Sequence, residues 1–277
     1  IMDVGTSNEV SSVLNFMKAN DLSLKKVKYI VPSHFHFDHF GGGGKLWKII
    51  KEYNPDAKIL TTENTQEQLQ DPDLHLQRAK RTFGDFVGTM DMLPDKAYEI
   101  VDPNERIRIP GLKRSKEFML VSSPGHTPDH VCPALFERDT SKFMYLGEAA
   151  GAIFHSNKPI TFGTSMPPDY NFKMYLQSLD KIIEFKPQNV GYCHFGAIKG
   201  EANVIKALRD NKEFTIFFRN FVKEKFSESG KIRHVVEQFI EQELGKRIES
   251  QYLDLLTNTI VALVYGQLID LGLKKPK

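Results

Sequence analysis

His34-Phe35-His36-Phe37-Asp38-His39 sets four metal-competent side chains within six positions. The stretch follows Val27-Lys28-Tyr29-Ile30-Val31, an apolar run that predicts a buried strand. Pro32 and Ser33 end that strand. Gly41 to Gly44 open a turn, and Lys45-Leu46-Trp47-Lys48-Ile49-Ile50 carries a helical pattern. The candidate ligands therefore fall on a tight loop at the carboxyl end of a strand. Open α/β sheets place their chemistry at that edge.

The spacing has a physical reading. In extended backbone, residues i and i+2 point the same way, so His34 and His36 can share one ion. Asp38 and His39 lie past the bend and can aim at a second. Imidazole suits zinc and iron, and carboxylate is a common companion ligand. A solvated loop would not need Phe35, Phe37 and Phe40 interleaved with its imidazoles. The glycines let backbone crowd close to the ions.

The rest of the composition sets bounds. A chain of 277 residues with 40% hydrophobic content suits one large domain, or one domain with a substantial extension. Net charge is +2, too near neutral for a global nucleic-acid footprint. Cys132 and Cys193, in no C-x-x-C arrangement, argue against a disulfide framework and fit a reducing, cytoplasmic setting. No signal peptide is visible, and no apolar run is long enough to span a bilayer.

Along the chain, Ile1 to Val4 reads as a short strand, and Thr6 with Glu9 as a capping box. Asp3 is a turn residue or a hydrogen-bonding partner of the metal loop. Val10, Val13, Leu14 and Met17 recur at helical spacing. Further strands are expected at Lys58–Thr62, Glu105–Ile109, Phe118–Ser123, Val131–Glu137 and Lys142–Leu146. A short helix covers Glu63 to Leu69. Residues 71–97 are a lid or an edge-packed helix. Asn171 to Phe185 carries a helical pattern ended by Pro187, and residues 201–277 read as helices.

The H-x-H-x-D-H motif after an apolar strand resembles that of the metallo-β-lactamase superfamily. Three further segments match the family in its order: Ser123-Pro124-Gly125-His126-Thr127-Pro128, Phe143-Met144-Tyr145-Leu146-Gly147-Glu148, and Asn189-Val190-Gly191-Tyr192-Cys193-His194. The resemblance covers about residues 1–200. It implies an α+β fold, a four-layer αββα sandwich, with residues 201–277 as a helical extension that packs on it or serves a homodimer. It also implies a ligand set: His34, His36 and His126 on one divalent ion, Asp38, His39 and His194 on another. Glu148 bridges them, in a position where the family usually has Asp. Members usually carry strands before the point at which this chain begins.

The chemistry implied is hydrolysis of a small-molecule ester, thioester, lactone or amide by hydroxide activated between two ions, zinc first and iron as the alternative. Asp38 doubles as a proton acceptor. A mononuclear-iron persulfide or thiol dioxygenase is the second expectation and a nuclease the third. Residues 149–171 read as a long irregular stretch that starts at the metal site. His155 is its sharpest catalytic candidate, as oxyanion donor or proton shuttle. Phe40, Phe154, Tyr170 and Phe195 are the candidate substrate wall. His130 is placed near the loop. His75 and His234 are assigned no role.

Overall fold

The structure, a computed structural model, describes residues 1–154, 160–194, 196–244 and 250–276. The chain forms two compact units. The first comprises Ile1–Ser122 and Asp129–Tyr145, the second Ser123–Pro128 and Leu146–Lys277.

In the first unit, α1 (Val10–Ala19) begins after Thr6, whose N–H donates to the Glu9 carboxylate at 2.8 Å. That is half of the expected capping box. Strand β1 is short, Tyr29–Ile30, and Val31 continues it only as a bridge to Met2. Helix α2 (Phe37–Phe40) and helix α3 (Gly43–Tyr53) follow. Strand β2 (Lys58–Thr61), α4 (Glu63–Gln70), α5 (Asp73–Phe83) and β3 (Tyr98–Ile100) come next. Strands β1, β2 and β3 pair in parallel. Their inward side chains join α3 in a core of Ile30, Leu46, Trp47, Ile50 and Ile59.

The expected turn at Gly41–Gly44 is instead the junction of two helices. The crowding there is by protein backbone, because a Cβ on Gly42 would lie 2.7 Å from the Thr6 carbonyl oxygen. Strand β4 (Lys116–Ser122), β5 (Val131–Glu137) and β6 (Thr140–Tyr145) form an antiparallel meander. The strand expected at Glu105–Ile109 reduces to one bridge, Ile107 with Phe118. Residues 71–97 form α5 and two short 3-10 turns, and Phe83 and Val87 pack on Phe37 of the metal loop.

In the second unit, the stretch read as irregular contains a hairpin, β7 (Ala152–Phe154) with β8 (Ile160–Phe162). Three-residue strands are too short for periodicity to reveal among flanking glycines and prolines. Helix α6 (Phe172–Glu184) starts where the Asn171 side chain accepts the Met174 N–H at 2.9 Å. Strands β9 (Asn189–Gly191) and β10 (Ala197–Lys199) pair antiparallel. Helices α7 (Glu201–Ser229), α8 (Ile232–Phe239) and α9 (Ser250–Asp270) complete the unit. Phe162 of β8 shares one apolar core with Phe218, Val222, Phe239, Leu263 and Val264. The C-terminal helices are thus docked within this unit. Arg219 pairs with Asp270 at 2.5 Å and lies over the Phe172 ring, tying α7, α9 and the start of α6 together.

Candidate metal centre

The donors of the first unit gather on the loop between β1 and α2. His34 is fully buried. Its Nε2 faces His36 Nδ1 at 2.9 Å, close to the roughly 3.3 Å that two nitrogens on one tetrahedral zinc would show. Ser33 Oγ donates its proton to Asp3 Oδ2 at 2.8 Å, so it accepts at 3.0 Å from His34 Nδ1. That fixes the His34 tautomer and leaves Nε2 as the ligand atom.

Asp3 does the same for His39. Its Oδ2 lies 2.8 Å from His39 Nδ1 and accepts the Tyr145 hydroxyl at 3.1 Å, while Oδ1 accepts the Ser33 N–H at 2.7 Å. Asp3 has a left-handed backbone, φ 46°, which Asp tolerates better than most residues. Hydrogen-bonded imidazoles of this kind are what metal ligation needs. Asp38 Oδ2 lies 3.7 Å from His39 Nε2, and its side chain is 29% exposed.

Two more histidines stand here. His130 stacks on His34 with centroids 5.0 Å apart, placed by the Val131 N–H bond to the Ser33 carbonyl. His75, to which the sequence assigned nothing, lies flat on His36 at 5.0 Å and 4°. Its Nε2 accepts the Phe37 N–H at 3.1 Å. Burial is the main cause that lowers its pKa to about 4, against the raising effect of Asp38 and with a smaller lowering from Arg78. No local motif marks a histidine so far along the chain from its stacking partner.

The donors of the second unit form their own group. Gly125 has φ 137°, and a Cβ there would lie 2.3 Å from the Tyr175 backbone nitrogen, so only glycine lets α6 close on this loop. The next residue, His126, donates from Nδ1 to the Thr164 carbonyl at 2.9 Å. Its Nε2 meets Glu148 Oε2 at 2.5 Å. The other carboxylate oxygen, Oε1, faces His194 Nε2 at 3.8 Å. The Leu146 N–H donates to the Gly191 carbonyl, so Glu148 and His194 leave adjacent backbone. Cys193 joins them, its Sγ donating to the Gly147 carbonyl at 3.0 Å, with a ligand atom within 4.8 Å of one on His194. A borderline-soft ion accepts thiolate as well as imidazole. Four imidazole or carboxylate donors in the first unit and three in the second, mostly buried, fit zinc or iron.

Of the remaining site candidates, Phe40 and Tyr170 have described side chains. Phe40 is 3% exposed in the core of the first unit, because helical periodicity turns it inward beside Leu46. Tyr170 is also buried, its ring tilted against that of Tyr175 and its hydroxyl accepting from Gln267. His155 and Phe195, and the side chain of Phe154, lie outside the described residues.

Residues 1–194, which hold all seven expected ligands, match the Metallo-beta-lactamase superfamily, and the chain belongs to that superfamily. Its donor groups and fold place it among the superfamily's metal-dependent hydrolases. Among individual relatives it is similar to the metallo-beta-lactamase fold-containing protein ST1585 of Sulfurisphaera tokodaii. The two are 30% identical over 208 residues, 72% of this chain and 69% of that one. The crystal structure of ST1585 superposes with a TM-score of 0.63 and 24% identity, covering 96% of this chain and 86% of the other. The metallo-beta-lactamase family protein TTHA1429 of Thermus thermophilus also gives 0.63, at 16% identity, covering 98% of this chain and 83% of that one. An N-acyl homoserine lactonase of Bacillus sp is 25% identical over 122 residues, 44% of this chain and 38% of that one. These matches establish the α+β sandwich of the superfamily with a C-terminal helical extension, α7 to α9.

No helix among the described residues is long and apolar enough to cross a membrane.

Proposed function

We propose that the two donor groups close on one dinuclear centre that hydrolyses a small-molecule ester, thioester, lactone or amide. His34, His36 and His126 would hold one ion, Asp38, His39 and His194 the other, and Glu148 would serve both. One observation carries this reading. The two oxygens of the buried Glu148 carboxylate face different imidazoles, Oε2 that of His126 at 2.5 Å and Oε1 that of His194 at 3.8 Å. A bridging carboxylate needs that division.

Ions bound there would lower the pKa of a shared water to roughly 7 and polarise the substrate's carbonyl oxygen. The protein's own groups do the rest. Asp3, Ser33 and Thr164 hold the imidazole tautomers that leave Nε2 free to ligate. Asp38, the most exposed carboxylate of the group, is the residue that would accept a proton there. Zinc is the expected metal. We take residues 1–200 as the catalytic domain and 201–277 as its extension. Likeness to an N-acyl homoserine lactonase supports placing lactones among the substrates tried first. The free thiols of Cys132 and Cys193 suit a reducing compartment.

The test is anaerobic purification, elemental analysis and a panel of lactones and thioesters. Two zinc ions per chain with chelator-sensitive hydrolysis are expected. A fully metal-loaded protein inert on the whole panel, or one holding a single iron and consuming oxygen with a thiol, overturns the reading.

A further inference from the structure

We propose that the C-terminal extension positions the second unit's metal ligands, through a buried polar strut that runs from Asn211 on α7 by way of Tyr175 to Thr164. The inference rests on the reading of His126 and Glu148 as ligands.

Thr164 commits every polar group described for it to this arrangement. Its carbonyl accepts from His126 Nδ1 at 2.9 Å. Its hydroxyl donates to the Glu148 carbonyl at 2.9 Å. Its backbone N–H is the group left to donate to the Tyr175 phenol oxygen, since the Thr164 and Tyr175 hydroxyl protons go to the Glu148 carbonyl and to Asn211. Tyr175 is fully buried and donates to Asn211 Oδ1 at 3.2 Å. A chain of hydrogen bonds thus connects a helix of the extension to the tautomer-setting partner of one ligand and the backbone of another.

Asn211 touches the same segment a second way. A Cβ on Gly151 would lie 2.8 Å from Asn211 Nδ2, so the amide rests directly on Gly151. The Gly151 N–H closes a turn on the Glu148 carbonyl at 3.1 Å. One helical turn on, Thr215 approaches Gly163 as closely, next to Thr164. Helix α7 therefore bears on both sides of the strut's end, at i and i+4 of one face.

Simple docking does not explain these residue types. Asn211 is 0% exposed, and its Nδ2 has no hydrogen-bond partner among the described residues. A helix that only packed would carry a leucine there, because a buried unpaired donor is costly. Asn211 supplies the carbonyl that accepts the Tyr175 hydroxyl. Tyr175 and Asn211 are positioning residues, acting on the ligands only through Thr164 and Gly151.

The experiment uses the full chain and its Tyr175→Phe, Asn211→Leu and double variants, with His126→Ala as a control. Zinc affinity is read by chelator competition, the d–d spectrum with cobalt(II) in place of zinc, and folding by urea titration. Each single variant is expected to bind zinc about tenfold more weakly and to shift the cobalt bands. The double variant should lose little more than either single, because the two residues act in series. Zinc affinity and cobalt spectrum equal to wild type in both folded single variants, with only the urea midpoint lowered, overturn the inference. If His126→Ala binds zinc as wild type does, the ligand assignment falls, and this inference with it. If His126→Ala loses zinc while the strut variants keep it, only the inference falls.

Discussion

Replacing Asp3 by Asn tests how far the metal loop depends on one carboxylate. Asp3 Oδ2 accepts from three groups, Ser33 Oγ, His39 Nδ1 and Tyr145 Oη, and Oδ1 accepts the Ser33 N–H. In Asp3→Asn an amide NH2 takes one of these places. The two hydroxyls can rotate and accept instead. The backbone N–H cannot, and the ring nitrogen can only by changing tautomer. If the NH2 occupies the Oδ2 side, His39 must move its proton to Nε2 and lose its ligating lone pair. If the amide flips, two N–H groups collide at Ser33. Losing one hydrogen bond to a charged group costs about 1.5–3 kcal/mol of stability. Metal affinity should fall by about ten- to a hundredfold, or about 1.4–2.8 kcal/mol. Chelator competition and urea unfolding read the two effects separately. A folded Asp3→Asn protein that binds zinc as tightly as wild type would refute tautomer control by this carboxylate.

Other outcomes follow from the geometry. Gly125→Ala combines positive φ with a Cβ 2.3 Å from the Tyr175 nitrogen and should cost about 3 kcal/mol by urea midpoint; an unchanged midpoint would mean the loop relaxes freely. Arg219→Leu leaves Asp270 without its 2.5 Å partner and should cost about 2 kcal/mol, read the same way, since both side chains are largely buried. The His75 pKa is lowered from 6.5 to about 4, so between those values the unfolded chain binds a proton that the folded chain does not. Stability due to His75 is therefore full above pH 6.5 and declines as pH falls, by up to about 3 kcal/mol near pH 4. Urea midpoints of wild type and His75→Gln should converge or cross between about pH 7 and pH 4; a constant gap would contradict the buried, neutral imidazole.

The metal loop was legible because its donors are contiguous and follow an apolar strand. His126, Glu148 and His194 are each single residues in separate segments, readable only as an ordered set. Asp3 was open between turn residue and partner, since its role depends on Tyr145, far along the chain. Thr164 was invisible, because it acts on His126 through a backbone carbonyl that any residue carries. His75 gave no signal, its stacking being purely tertiary. The hairpin of β7 and β8 is hidden among turn residues, and the burial of Phe40 and Tyr170 depends on tertiary packing that their chain neighbours do not reveal.

Anomalous diffraction from zinc-loaded crystals tests the shared dinuclear centre most directly. Two peaks about 3.5–4 Å apart are expected, with Glu148 between them and both His34 and His126 on one ion. Peaks ligated by residues of one unit only, or a single peak that Glu148 does not touch, would contradict it.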